Sequence, residues 1–257
     1  MYLIEQELCN QFAAATQTVD ALFAHKDALA QALADVKSIC VLGCGSSYSL
    51  AKSAATLLSQ QAGIPATPIP AGDLLVNFPA YKRTLEHSAI LLLSRSGATS
   101  EVVRAAALCK QQFGSRILSI CTQAGAPVEA HTDLDLILPW AYDKAVCQTR
   151  TVSNLYIALL GLAYIAGGND AGLQALKGLE AYSEPFCSQQ EAALIIRTQK
   201  VHLSVDKLNR RIYIPVSHPY RIRPGTCRIL RCHIEYSLRT FSSIVRANHI
   251  ECTVMVS

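Results

Sequence analysis

Ser94, Arg95, Ser96, Gly97 and Thr99 crowd together in LLLSRSGATSEVV (91–103), where an apolar run gives way to a helical pattern. Three hydroxyls and a guanidinium at this spacing can donate hydrogen bonds to one anionic, oxygen-rich group. A helix start adds to that set, because its first N–H groups lack intrahelical partners and carry partial positive charge. Gly97 lets the backbone approach a ligand without a side-chain clash. The chemistry such a turn suits is capture of an anion.

A second turn repeats the idea. GCGSSYS (43–49) brings Gly43, Gly45, Ser46 and Ser47 to the end of another apolar run. A third stretch, AYDKAVCQTRTVSNLY (141–156), offers Asp143, Gln148, Thr149 and Arg150. Each has a blander role: Thr99 before Val102 and Val103 would serve as an N-cap, and so would Thr149 or Thr151 in the third stretch. Two hydroxyl-rich turns at equivalent ends of neighbouring strands nevertheless favour an anionic, hydroxylated ligand. GCGSSY is neither GxGxxG nor a P-loop with its lysine, so no dinucleotide or nucleoside triphosphate cofactor is expected.

The elements that must position these turns can be read from periodicity. Residues 3–36 show apolar positions at helical spacing, and SICVLG (38–43) suits a strand buried on both faces. SYSLAKSAATLLSQQAG returns to the helical period and stops at Gly63 as a C-cap. ATPIP and GDLLVNF follow, then strand SAILLLS (88–94), helix SEVVRAAALCKQQFG, strand RILSIC (116–121), strand LDLILP (134–139) and helix TVSNLYIALLGLAYIAGG. Alternating strands and helices with short loops predict an α/β fold, a doubly wound, flavodoxin-like, five-stranded parallel sheet with flanking helices. Ligands of such sheets sit at the carboxyl ends of the strands, beside the switch in strand order.

Composition narrows the classes. Of 257 residues, 51% are hydrophobic and 16% charged, which describes a well-buried globular chain rather than a disordered one. The start MYLIEQELCNQF has no basic segment and does not read as a secretory signal, and the apolar run from Leu155 is too short to span a membrane. No membrane partner is expected. The ten cysteines are scattered without a CxxC pair, as reduced thiols of a cytoplasmic protein would be. Cys227, Cys232 and His233 lack a fourth ligand at sensible spacing, so no metal is expected. From Val201 onward the chain holds nine basic and three acidic residues; before it, 14 basic and 16 acidic. A nucleic-acid arm would account for the basic tail, but its Ile, Leu and Val are interspersed without a stripe, and no nucleic-acid partner is expected.

Taken in order, Gly-x-Gly-Ser-Ser-Tyr, Ser-x-Ser-Gly-x-Thr-x-Glu/Asp, and an acidic residue before Val-x-x-Thr-Arg/Lys resemble the pattern of the sugar isomerase (SIS) family. The likeness covers roughly residues 30–200. It is nearest to the phosphosugar ketose/aldose isomerase and amino-sugar deaminase group, including the isomerase half of glucosamine-6-phosphate synthases. The resemblance implies that Ser47, Ser94, Arg95, Ser96 and Thr99 cradle a sugar phosphate. It also implies that Gly45, Ser46, Val146 and Gln148 line the sugar, and that subunits associate as a homo-oligomer. Arg95 stands where glutamine is common in the family, and Asp143 where glutamate is usual.

The resemblance divides the chain into N-terminal helices (1–36), an SIS subdomain (37–168), linker helices (169–200) and an incomplete or aberrant second SIS subdomain, truncated or frameshifted (201–257). In the family that second subdomain supplies a helix glutamate for proton transfer and a ring-opening histidine. Here RIYIPVS starts like a strand, but the sequence after it shows no helical period, with alanine only at Ala247 and glycine only at Gly225. A translated frameshift would explain it: one dropped nucleotide permits Gly-Tyr-Ala-Gln-Glu over codons 221–225 and Ser-x-x-His-x-Glu over codons 234–239. Glu235 and His233 do not sit in the family motif, so the catalytic residues remain unassigned. The expectation is a phosphosugar-binding protein, isomerase or deaminase in type but catalytically deficient; the alternative is a phosphosugar sensor that never turns ligand over.

Overall fold

The computed structural model describes residues 3–183 and the backbone of three short strands, Ser204–Asp206, Arg211–Tyr213 and Glu251–Cys252. The linker beyond 183, the proposed frameshift strings, the Cys227–Cys232–His233 cluster and Glu235 lie outside the described residues. The chain divides into two units, residues 1–187 and 188–257.

The first unit opens with three helices, α1 (Leu3–Cys9), α2 (Gln11–Ala24) and α3 (Lys26–Leu33). Five strands follow: β1 (Ile39–Gly43), β2 (Ala66–Pro70), β3 (Ala89–Leu93), β4 (Ile117–Cys121) and β5 (Leu134–Ile137). All pair in parallel in the order β2-β1-β3-β4-β5. Between them run α4 (Ser46–Ala62), α5 (Ala71–Val76), α6 (Phe78–Glu86) and α7 (Ser100–Phe113). The fold class expected from the alternating pattern is the one observed. The sequence reading left GDLLVNF unassigned and passed over the segment after it; these form α5 and α6.

Why the sheet is buried on both sides follows from the two-residue period of its strands. Val41, Leu91, Leu93, Leu118, Ile120 and Leu136 belong to one apolar cluster. Cys40, Leu42, Ile90, Leu92 and Ile117 belong to another, with Leu74 of α5, Leu85 of α6 and Val102 of α7. The first cluster is completed by α2, α4 and the long helix α8 (Arg150–Ala166), whose Leu155, Ala158, Leu159 and Leu162 are buried. Gly63 ends α4 in the left-handed conformation, as its place in the sequence suggested. After α8 come α9 (Asp170–Ala175) and a 3₁₀ segment, Leu176–Tyr182. Among the described residues no helix is long and apolar enough to cross a membrane.

In the second unit, β6 (Ser204–Asp206) pairs antiparallel with β7 (Arg211–Tyr213), and β7 pairs in parallel with β8 (Glu251–Cys252). The strand expected to begin at Arg211 is β7.

Candidate functional site

The chain leaves β1 to build β2 on one side and returns to build β3 on the other. Strand order therefore reverses at the β1–β3 pair, where open α/β sheets bind their ligands. The register pairs Leu42 with Leu92, so the turns carrying Ser47 and Ser94 leave the sheet side by side at its carboxyl edge.

The turn after β3 is organised by Ser94, which is only 3% exposed. Its Oγ accepts the Gly97 N–H at 3.1 Å and lies 3.1 Å from the Thr99 hydroxyl. Thr99 occupies the N-cap position of α7 but gives the helix no side-chain cap. Ser96 Oγ accepts the Ala98 N–H at 3.2 Å. The carbonyl of Arg95 accepts both the N–H and the hydroxyl of Thr122, at 3.0 and 2.6 Å, tying the turn to the end of β4. Gly97 has φ of 62°, and a Cβ there would stand 2.5 Å from that of Ala126.

In the turn after β1, Gly43 is required by proximity: a Cβ would lie 2.7 Å from the backbone of Ser47. Helix α4 starts hard against the strand end for that reason, with Ser47 buried and Gly45 and Ser46 exposed.

The third stretch, between β5 and α8, is held by carboxylates. Asp143, wholly buried, accepts the N–H groups of Thr149 at 2.7 Å and Thr151 at 2.9 Å through Oδ2. Its Oδ1 faces Arg150 Nε at 3.6 Å. Asp143 thus caps α8, a role the sequence suggested for Thr149 or Thr151; the Thr151 hydroxyl instead donates to the Ala141 carbonyl at 2.6 Å. Arg150 also donates to the Tyr142 carbonyl. The Arg95 guanidinium donates to the Ala145 carbonyl at 3.1 Å and lies 5.8 Å from the centre of the Tyr142 ring. Val146 is 93% exposed beside it. Gln148 Oε1 and Thr149 Oγ1 are buried without a hydrogen-bond partner.

Two stretches of the motif are therefore joined directly, through Arg95, and the turn after β1 is brought alongside by strand pairing. Arg95 directs its side chain to the third stretch. The sequence reading missed Glu7, which reaches this region from α1 and accepts the N–H groups of Lys144 and Ala145. It also missed Thr122. A signal existed for Glu7: it falls with Ile4 and Leu8 on one helical stripe, where an apolar residue would be the ordinary choice.

Glu101, in the first turn of α7, has its carboxyl held below the usual range by its own N–H and the Ser100 hydroxyl. Among the described residues no three His, Cys, Asp or Glu side chains are grouped to hold a metal. Two concavities lie elsewhere: an apolar one of about 360 Å³ beside Phe12, Leu50 and Tyr156, and another of about 600 Å³ beside Lys110 and Asp133. The first is lined in part by Val152, Ser153 and Tyr156, where the third stretch runs into α8; neither is lined by the turns after β1 and β3 or by residues 143–150.

Comparison with known proteins bears on this geometry. A glutamine–fructose-6-phosphate aminotransferase [isomerizing] of Pectobacterium atrosepticum is 25% identical over 215 residues, 80% of this chain and 33% of that protein. The chain thus spans about a third of this relative's length. The C-terminal domain of the glucosamine-fructose-6-phosphate aminotransferase from Francisella tularensis superposes with a TM-score of 0.61 at 17% identity, covering 82% of this chain and 59% of that one. Tagatose-6-phosphate ketose/aldose isomerase from Escherichia coli gives 0.62 at 21% identity, over 76% and 55%. At those identities the superpositions speak for the fold. The sequence profile of the SIS domain matches residues 32–164, more than half of the chain and all three motifs. The chain belongs to the SIS domain family.

Proposed function

We propose that this chain binds a sugar phosphate at the carboxyl edge of the sheet, with the phosphoryl group in the turn after β3 and the sugar along Val146 and Gln148. One observation carries the reading: the Ser94 and Thr99 hydroxyls face each other at a helix start that Thr99 does not cap. A site of that kind offers hydroxyls and main-chain N–H groups to an anion in place of a counter-charge. Ser96 stands beside it, and Ser47, Gly45 and Ser46 approach it from the neighbouring strand end. The names of the three proteins compared above each contain a 6-phosphorylated sugar, and fructose 6-phosphate is the natural first ligand to try.

Turnover is a separate matter. Aldose–ketose isomerisation or deamination needs a carboxylate free to move a proton. Two buried carboxylates near these turns are already committed: Asp143 to the start of α8 and Glu7 to loop amides. The family resemblance places the catalytic groups in the second subdomain, where the sequence after Tyr213 departs from the pattern. The chain is accordingly a phosphosugar-binding protein of isomerase type, deficient in catalysis, acting in the cytoplasm as a homo-oligomer.

Titration with fructose 6-phosphate and glucosamine 6-phosphate, following melting temperature and product together, tests this. Stabilisation without product is the expected result. Product at a useful rate would return the chain to the active isomerases, and no stabilisation by either sugar would remove the binding site.

A further inference from the structure

We propose that Glu7 of α1 is a positioning residue for the sugar side of this site, acting through the loop between β5 and α8. The inference rests on the phosphosugar reading above. Glu7 is only 4% exposed. Its Oε1 accepts the N–H of Lys144 at 2.6 Å and of Ala145 at 3.2 Å, and Oε2 lies 3.4 Å from the same Ala145 nitrogen. A carboxylate removed from water is costly unless its oxygens are hydrogen-bonded. A leucine at this point of the helical stripe would avoid that cost, but it could not gather two successive main-chain N–H groups onto one acceptor. Convergent N–H groups of this kind fix the backbone between them.

What that backbone carries is the reason to assign a role. The Ala145 N–H is held by α1, and the Ala145 carbonyl is held by Arg95 of the turn after β3. With the carbonyl fixed, the planar trans peptide also fixes the Val146 N–H, which points the opposite way. Val146 follows, 93% exposed, and then Gln148 and Thr149 with buried oxygens lacking a partner. Glu7 and Asp143 are two carboxylates that each take two N–H groups of this stretch, one from outside it and one from within. Between them they determine where the loop presents those groups, and Arg95 locks the result to the phosphate turn.

Three variants of the full chain test the proposal, with calorimetric affinities for fructose 6-phosphate and for inorganic phosphate. Glu7→Leu keeps the volume without an acceptor, and is expected to weaken fructose 6-phosphate about tenfold, as loss of hydrogen bonds to a charged acceptor would. Inorganic phosphate, which needs only the turn after β3, should stay within about twofold of the parent chain, well under 1 kcal/mol. Glu7→Gln retains Oε1 and is expected to restore most of the sugar-phosphate affinity. Should Glu7→Leu not fold, Glu7→Asp is one methylene too short to reach both N–H groups and should show the same split. A helix staple with no part in binding would lower melting temperature and leave both affinities alike; that result, or equal loss of both ligands, overturns the proposal. Hydrogen exchange at the Lys144 and Ala145 amides separates the failures, since it should quicken in Glu7→Leu or Glu7→Asp whether or not ligand binds. Unchanged exchange refutes Glu7's hold on the loop; a parent chain that binds neither compound refutes the phosphosugar site itself, and Glu7's role in it.

Discussion

Ser94 and Thr99 place their hydroxyl oxygens 3.1 Å apart across the turn from β3 to α7, and the Ser94 oxygen also accepts the buried Gly97 N–H. One side chain therefore shapes the turn and also stands in the proposed phosphate site. Ser94→Ala leaves that N–H without its acceptor and is expected to lower stability by about 1–3 kcal/mol. Ser96→Ala and Thr99→Ala remove hydroxyls with less structural work and should each weaken sugar-phosphate binding by about 1 kcal/mol or somewhat more, with little change in stability. Urea denaturation and calorimetry measure the two quantities; Ser94→Ala as stable as the parent would contradict the role given to that hydroxyl.

Gly97 admits no side chain on two independent grounds. Its φ is 62°, and a Cβ would meet that of Ala126 at 2.5 Å. Gly97→Ala should cost about 1–2 kcal/mol for the left-handed backbone and about 1–3 kcal/mol for overpacking. Gly114→Ala is the control, with the same backbone sign at φ 60° but open space around the added carbon. Chemical denaturation should rank Gly97→Ala clearly below Gly114→Ala, and equal losses would show that Ala126 yields.

Stability should fall with acid in part through Asp133. Partial burial pushes its carboxyl upward, but bonds from the Lys110 ammonium and the Ile117 N–H outweigh that and hold it below the usual carboxylate range. A depressed carboxyl contributes stability that is complete above its unfolded-state pKa and is lost as pH falls through the folded value. The stability gap between the parent and Asp133→Asn should therefore be widest above about pH 5 and close toward about pH 2. A gap that grows on acidification would reverse the assignment.

The thiols should divide by burial. Desolvation pushes Cys109 up to about 12, with Cys40 nearby adding to it, and Cys121 up to about 11. Both should resist iodoacetamide in the native chain at pH 8, because the thiolate is the reacting form. Cys147 is exposed between Val146 and Gln148 and should label readily. Peptide mapping should show fructose 6-phosphate slowing that reaction. Ligand-independent labelling of Cys147 would argue that the sugar lies elsewhere.

Much of this was legible because strand and helix periods differ. AILLL and ILSIC, uninterrupted by charge, are strands buried on both faces, and the glycines and hydroxyls behind the strands fall at the carboxyl edge of the sheet, where the proposed site lies. The short α5 and α6 were not legible, since GDLLVNF and FPAYKRTLE are stabilised by packing on the sheet rather than by a strong pattern of their own. Caps were misplaced for a related reason. Thr99 and Thr149 hold the cap positions, but the fold of each turn brings the Thr99 hydroxyl to Ser94, five residues back, and lets the Asp143 carboxylate, six residues before Thr149, cap α8. Glu7 could be marked as an oddity on an apolar stripe, but its partners could not be read, because they are main-chain amides 137 and 138 residues away and amides carry no sequence signal.

The most direct measurement is a crystal structure of the chain soaked with fructose 6-phosphate. The phosphoryl oxygens should lie within hydrogen-bonding distance of Ser94, Ser96 and Thr99, with the sugar running toward Val146. Ordered ligand bound anywhere else, or an open carboxyl edge that stays empty at saturating sugar phosphate, would contradict the account.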